Sequence, residues 1–206
     1  MIVDPITLLA FIPAALALNL TPGADMMFCL GLGLRAGPRP AIAASAGIAA
    51  GGIVHVSLAG LGLAAVIAAL PLALDVIRWL GVGYLLWLAW GALCQGPMRP
   101  DAPRLGPARA FREGMLVNLL NPKVILFVLA FVPQFIDPTR AILPQFLIYG
   151  LVLAVGGFFI NGAVGVFAGG LGRRLATSAR FHRGLGYASA AIFTALAARL
   201  ALMSRS

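Results

Sequence analysis

Asn19-Leu20-Thr21-Pro22-Gly23-Ala24-Asp25 lies in the middle of an apolar segment that runs from Pro5 to Leu34. Pro22 cannot donate a backbone hydrogen bond and crowds the carbonyl four residues back, and Gly23 loosens the backbone further, so a kinked or broken helix is predicted here. A break frees backbone groups that then need partners. Asn19, Thr21 and Asp25 supply polar atoms for them, and Asp25 is the only charge in the segment. Non-helical backbone at membrane depth persists only where protein buries it or where it lines a watery cavity, so the stretch reads as a site.

The rest of the chain has the composition of a membrane protein. Of its 206 residues, 61% are hydrophobic and 10% charged, and a soluble domain carries about twice that charged fraction. No Asp, Glu, Lys or Arg occurs between Arg39 and Asp75, or between Arg140 and Arg173. Each interval exceeds the roughly 20 residues that span a bilayer as helix. The net charge of +9 does not point to nucleic acid, because the arginines cluster between apolar segments, where they set topology. Cys29 and Cys94 have no CxxC or Cys/His spacing, so neither a disulfide framework nor a metal site is indicated, and no cofactor is implied. Met1-Ile2-Val3-Asp4-Pro5 lacks a basic region and a small-residue cleavage site, and is not read as a signal peptide.

Six segments follow from this pattern: Pro5 to Leu34, Ala41 to Leu70, Leu72 to Leu93, Gly114 to Ile136, Ile142 to Ala168 and Gly184 to Met203. Gln95 to Glu113, with Arg99, Arg104, Arg109 and Arg112 among prolines and glycines, reads as the longest polar loop. The fourth segment carries Lys123 as its only charge, with Asn118, Asn121 and Pro122 marking a second mid-span break. Gly47/Gly51 and Gly165/Gly169 are GxxxG pairs that allow close helix approach. Asp75 and Arg78 are expected at the headgroups. Basic residues number two, four and four in the first, third and fifth loops, against Arg140 alone in the fourth and Arg78 beside the second. The odd loops are therefore expected in the cytoplasm and both termini outside.

Pro22 and Pro122 stand 100 residues apart in a chain whose half-length is 103. Each opens a half of three spans, and three is odd, so the second half enters the membrane from the opposite face. The expected fold is an all-α integral membrane protein with six transmembrane helices, a 3+3 inverted repeat in which helices 1 and 4 are broken. It forms one transmembrane domain over residues 1–206, with a first repeat at 1–98, a second at 104–206 and a cytoplasmic linker at 95–113. Paired breaks in corresponding helices point to a transport site near the midplane, where helix termini offer dipole ends suited to a zwitterion.

Several motifs carry a resemblance. They are Asn-Leu-Thr-Pro-Gly at 19–23, Arg-Ala-Gly at 35–37, Val54-His55 with Gly60-Leu61-Gly62-Leu63, and above all Phe111-Arg112-Glu113-Gly114 through Asn118-Leu119-Leu120-Asn121-Pro122-Lys123 to Phe131-Val132-Pro133-Gln134-Phe135. Over nearly its whole length the chain resembles the lysine exporter (LysE/RhtB) family. Ala24 stands where the family commonly has a second proline. The resemblance implies a multi-pass protein of the bacterial cytoplasmic (inner) membrane that exports amino acids or similar small polar metabolites, driven by the proton-motive force. Its partners would be the amino-acid substrate, protons and the lipid bilayer; the glycine faces suit a homo-oligomer without requiring one.

The expected pathway residues are Asn19, Thr21, Pro22, Gly23, Asp25, His55, Asn118, Asn121, Pro122 and Lys123. Asp25 would receive a substrate ammonium or carry the coupled proton. Lys123 has two open roles, a bridge to Asp25 or a hold on the substrate carboxylate. His55 is a proton carrier or a neutral imidazole bonded within the bundle, and the asparagines repair the breaks, line the cavity, or both. An intramembrane thiol-redox enzyme is the first competing reading, but it needs two cysteines together at the breaks. The second is a divalent-metal exporter, for which Asp25 and His55 are a thin ligand set.

Overall fold

The computed structural model describes residues 2–69, 73–94, 103–169 and 178–202. Every regular element among the described residues is a helix. These are α1 (Pro5–Leu20), α2 (Ala24–Ala36), α3 (Pro38–Ala69), α4 (Ala73–Cys94), α5 (Pro107–Leu119), α6 (Pro122–Ala130), α7 (Ile142–Val166) and α8 (Ala179–Leu202), with 3-10 turns at Val132–Phe135 and Phe167–Gly169. Four helices are long and apolar enough to cross a membrane, over Pro38–Leu63, Val76–Cys94, Ile142–Val166 and Arg183–Leu202. Two bent pairs, α1 with α2 at 52° and α5 with Pro122–Phe135 at 54°, bring the number to six when each pair is one span.

Local chemistry explains the breaks. Helix α1 starts where Asp4 accepts from the Thr7 N–H at 2.9 Å and the Thr7 hydroxyl at 3.0 Å, with Pro5 at the first helical position. It ends at Leu20, because Pro22 offers no N–H to the Leu18 carbonyl. Pro13 stays inside α1 without ending it. Helix α2 closes at Gly37, whose φ of 88° is the one positive value among the described residues and lies in the region that favours glycine. A single proline at the first break gives nearly the same bend as the second, so Ala24 does not straighten the helix.

Helix α3 begins at Pro38, three residues ahead of the expected Ala41, and two further segment starts differ more. Part of the expected linker, residues 107–113, is the first half of α5. Pro107 sits at the first helical position, where its fixed φ begins a helix rather than breaking one. Arg109 and Glu113 then pair one turn apart at 3.5 Å. Likewise α8 begins at Ala179, ahead of Gly184. Residues 95–102, Arg173, Arg174, Ser206 and the side chain of Asp75 lie outside what is described.

Helix α3 packs along α7 and α5, α4 packs on α8, and each bent pair lies against neighbours from the other half of the chain. Backbone approach makes this possible. Gly47 of α3 faces the Phe111 carbonyl of α5, Gly114 of α5 faces the Ala44 carbonyl of α3, and Gly33 of α2 faces the Gly165 carbonyl of α7. A side chain at any of these would overlap backbone, so the glycines set the interhelical distance. At one end of the bundle Phe11, Phe127, Phe131, Phe135 and Tyr149 form an aromatic cluster with neighbouring ring centroids 4.8–6.4 Å apart. Trp79, Trp87 and Trp90 of α4 are exposed, as expected of a face against lipid.

Candidate functional site

The two breaks meet. Pro22 deprives the Leu18 carbonyl of its helical partner, and the Lys123 ammonium, arriving from the other break, fills the gap. Lys123 Nζ donates to Leu18 O at 2.9 Å and to Thr21 O at 2.8 Å. These carbonyls are the negative end of α1, which favours a cation there. Thr21 turns its hydroxyl back to Ala17 O at 2.6 Å, which leaves its own carbonyl to the lysine. Gly23 makes room, since a Cβ there would stand 3.2 Å from Lys123 Nζ. Its φ of −169° is ordinary extended backbone, so space and not conformation is what glycine supplies.

The second break answers the first. Asp25, in the first turn of α2, accepts from Asn118 Nδ2 at 2.8 Å and from Asn121 Nδ2 at 3.0 Å. Its position at a helix N-terminus suits its charge. Asn121 also caps α6, its Oδ1 accepting from the Lys123 N–H at 3.1 Å. Pro122 frees the Asn118 carbonyl, which receives the Asn121 N–H at 3.0 Å and lies 3.2 Å from His55 Nε2. Tyr84 of α4 donates to Lys123 O at 2.6 Å. With both amide N–H groups of the asparagines drawn to Asp25, Asn118 Oδ1 is left buried without a hydrogen-bond partner, facing Gly51.

Asp25 and Lys123 therefore do not bridge each other. Each is held by polar groups of the opposite break, and no ion pair within 4.0 Å joins them. Both line one cavity of about 40 Å³, together with Asn19, Thr21, Asn118, Asn161, Gly157 and apolar side chains of α3, α6 and α7. That is the space of two to four water molecules. His55 is placed elsewhere, on the far side of the second break, where it borders a wide apolar groove of about 720 Å³ between α3, α4 and α6.

Nine of the ten expected residues thus gather at the paired breaks, and His55 touches the second from outside. Two residues were not singled out in advance. Asn161 is 4% exposed and lines the cavity, yet it comes from the uninterrupted helix α7, with no proline beside it to draw attention. Tyr84 lies mid-helix on α4, and its hydroxyl donates to Lys123 O. Cys29 is buried and Cys94 exposed, both as free thiols. No group of three or more His, Cys, Asp or Glu side chains suited to a metal occurs among the described residues.

A helical bundle with two opposed breaks, whose polar groups close on one cavity, is the architecture of a membrane translocator. The family model described as LysE type translocator matches residues 16–204, and the chain belongs to that family of multi-pass membrane proteins. A Vibrio cholerae protein named only as a membrane protein is 37% identical over 146 residues, covering 69% of this chain and 71% of that one. The homoserine/homoserine lactone efflux protein of Salmonella typhimurium is 34% identical over 149 residues, 71% of this chain and 72% of that one. The leucine efflux protein of Enterobacter sp. (strain 638) is 34% identical over 131 residues, 62% of each chain. No solved structure matches the chain.

Proposed function

We propose that the protein is a secondary exporter of amino acids or similar small polar metabolites in the cytoplasmic membrane, with its substrate site where the two breaks meet. The observation that carries this is the reciprocal exchange of charge. Asp25 of the first break is held by asparagines of the second, and Lys123 of the second by carbonyls of the first. A zwitterion brings one ammonium and one carboxylate, and this site offers a carboxylate and an ammonium whose present partners are neutral. Substrate can therefore exchange partners with the protein rather than strand a charge, which would cost about 3–5 kcal/mol.

The same exchange gives a route to alternating access. The Lys123–carbonyl and Asp25–amide contacts tie the halves together across the cavity, so replacing them with substrate contacts loosens one half against the other. Asp25 either receives the substrate ammonium or takes up the coupled proton, and a proton on Asp25 removes the charge that its two amides now stabilise. Efflux driven by the proton-motive force follows from that coupling.

An inverted repeat underlies this reading. Exchanging α1/α2 with α5/α6, α3 with α7 and α4 with α8 keeps the α3–α7 and α4–α8 contacts and swaps α3–α5 for α7–α1, and the two bends agree within a few degrees. With three spans per half, such an exchange inverts one half relative to the other. The arginine bias then puts the loop containing Arg104 in the cytoplasm.

The test is efflux from proteoliposomes loaded in turn with each member of a panel of labelled amino acids. Pure protein is expected to release at least one of them faster than empty liposomes do, and more so with an imposed proton gradient. A panel with no accelerated release would end this proposal.

A further inference from the structure

Resting on that reading, one part of the cavity is built for more than the groups that all amino acids share. Helix α7 passes the cavity with Gly157 and, one turn on, Asn161. The Asn19 side chain is oriented by its Nδ2, which donates to Leu153 O at 3.1 Å, and this turns Oδ1 toward Gly157. A Cβ at Gly157 would stand 3.2 Å from Asn19 Oδ1 and 3.9 Å from Asn161 Nδ2. The bare backbone of Gly157 thus lets Asn19 Oδ1 come close, with the Asn161 amide beside it on the same cavity wall. Asn19 Oδ1 has no hydrogen-bond partner among the described residues, nor has Asn161, which is 4% exposed. Both side chains line the cavity.

We propose that Asn19 Oδ1, Asn161 Nδ2 and the bare backbone of Gly157 form a side-chain subsite for substrates carrying an uncharged group that both donates and accepts, a hydroxyl or a carboxamide. The donor and acceptor decide the class. A carboxylate there would face Asn19 Oδ1, which the bond of its own Nδ2 to Leu153 O holds in place, while Asn161 can turn either end of its amide to a group that both donates and accepts. An aliphatic group leaves both amides unpaired, and sites made to hydrogen-bond a substrate reject analogues that lack the bond. Asp25 and Lys123 remain for the ammonium and carboxylate.

Two isosteric pairs test this in proteoliposomes, threonine against valine and asparagine against leucine, compared by kcat/KM for efflux. Wild-type protein is expected to favour the polar member of at least one pair by about tenfold or more. Asn161→Leu should remove the preference, bringing kcat/KM for the polar member down to that of its apolar isostere. Gly157→Ala, whose methyl would crowd Asn19 Oδ1 at 3.2 Å and push the acceptor aside, should do the same, and melting temperature in detergent confirms that each variant is folded. Wild-type protein that exports both members equally, or variants that keep the preference, would overturn the subsite and leave the exporter reading intact. Wild-type protein that exports none of the four or any other amino acid would overturn both.

Discussion

Lys123 sits in the first turn of α6, where the helix dipole disfavours a cation. Its side chain resolves the conflict by reaching the carbonyl end of α1. Replacing it with methionine keeps the length of the side chain but strands Leu18 O and Thr21 O. Each buried carbonyl left without its donor costs about 1–3 kcal/mol. Lys123→Met is therefore expected to insert but to melt markedly lower in detergent; an unchanged melting temperature would show that the lysine does not hold the halves together. The breaks made this residue legible in the sequence, since proline beside an intramembrane charge marks a place where backbone and side chain need partners. The same logic could not reveal that Asp25 and Lys123 avoid each other, because partner choice depends on which carbonyls the first break leaves facing the second. Asn161 was hidden for a related reason. An asparagine inside a continuous helix has the same local signature whether it bonds to a neighbour or faces a cavity.

At the scale of elements, the four long apolar helices and the two bent pairs could be read from charge-free intervals and prolines, and the first GxxxG pair announced a close contact that Gly47 makes with Phe111 and Gly51 with Asn118. The second pair behaves differently, because α7 ends at Val166 and leaves Gly169 in a 3-10 turn. The start of α5 was missed because arginines and prolines were weighed as loop signals. Only the position of Pro107 after Gly106, and Ala110 fully buried against the bundle, identify them as a helix beginning. Packing at the α3–α5 contact gives a prediction. Gly47→Leu forces a side chain into the Phe111 backbone and should destabilise the protein by on the order of 3 kcal/mol, read as a fall in melting temperature. Gly83→Ala, at a position with no atom within 4 Å of the added Cβ, is the matched control and should lose nothing. Equal effects from the two would mean that the interhelical distance is not set by Gly47.

For the whole molecule, the proposed inverted repeat and the arginine distribution predict one orientation. Labelling of intact cells with an impermeant thiol reagent should mark an engineered Ser206→Cys but not Arg104→Cys, in a background where Cys29 and Cys94 are replaced. The reverse pattern would turn the molecule over and with it the assigned direction of each half. The central claim is that the crossing of the two breaks is the transport site and Asp25 its principal charge. Asp25→Asn tests it most directly, because the amide keeps the size of the side chain while removing its charge and its ability to take up a proton. Efflux from proteoliposomes should be measured for wild type and variant across a range of internal pH, with insertion and melting temperature checked in parallel. The expected result is a folded, inserted Asp25→Asn protein whose efflux is lost or no longer responds to a proton gradient. Efflux at the wild-type rate with unchanged pH dependence would make Asp25 a structural residue and place the transport site elsewhere.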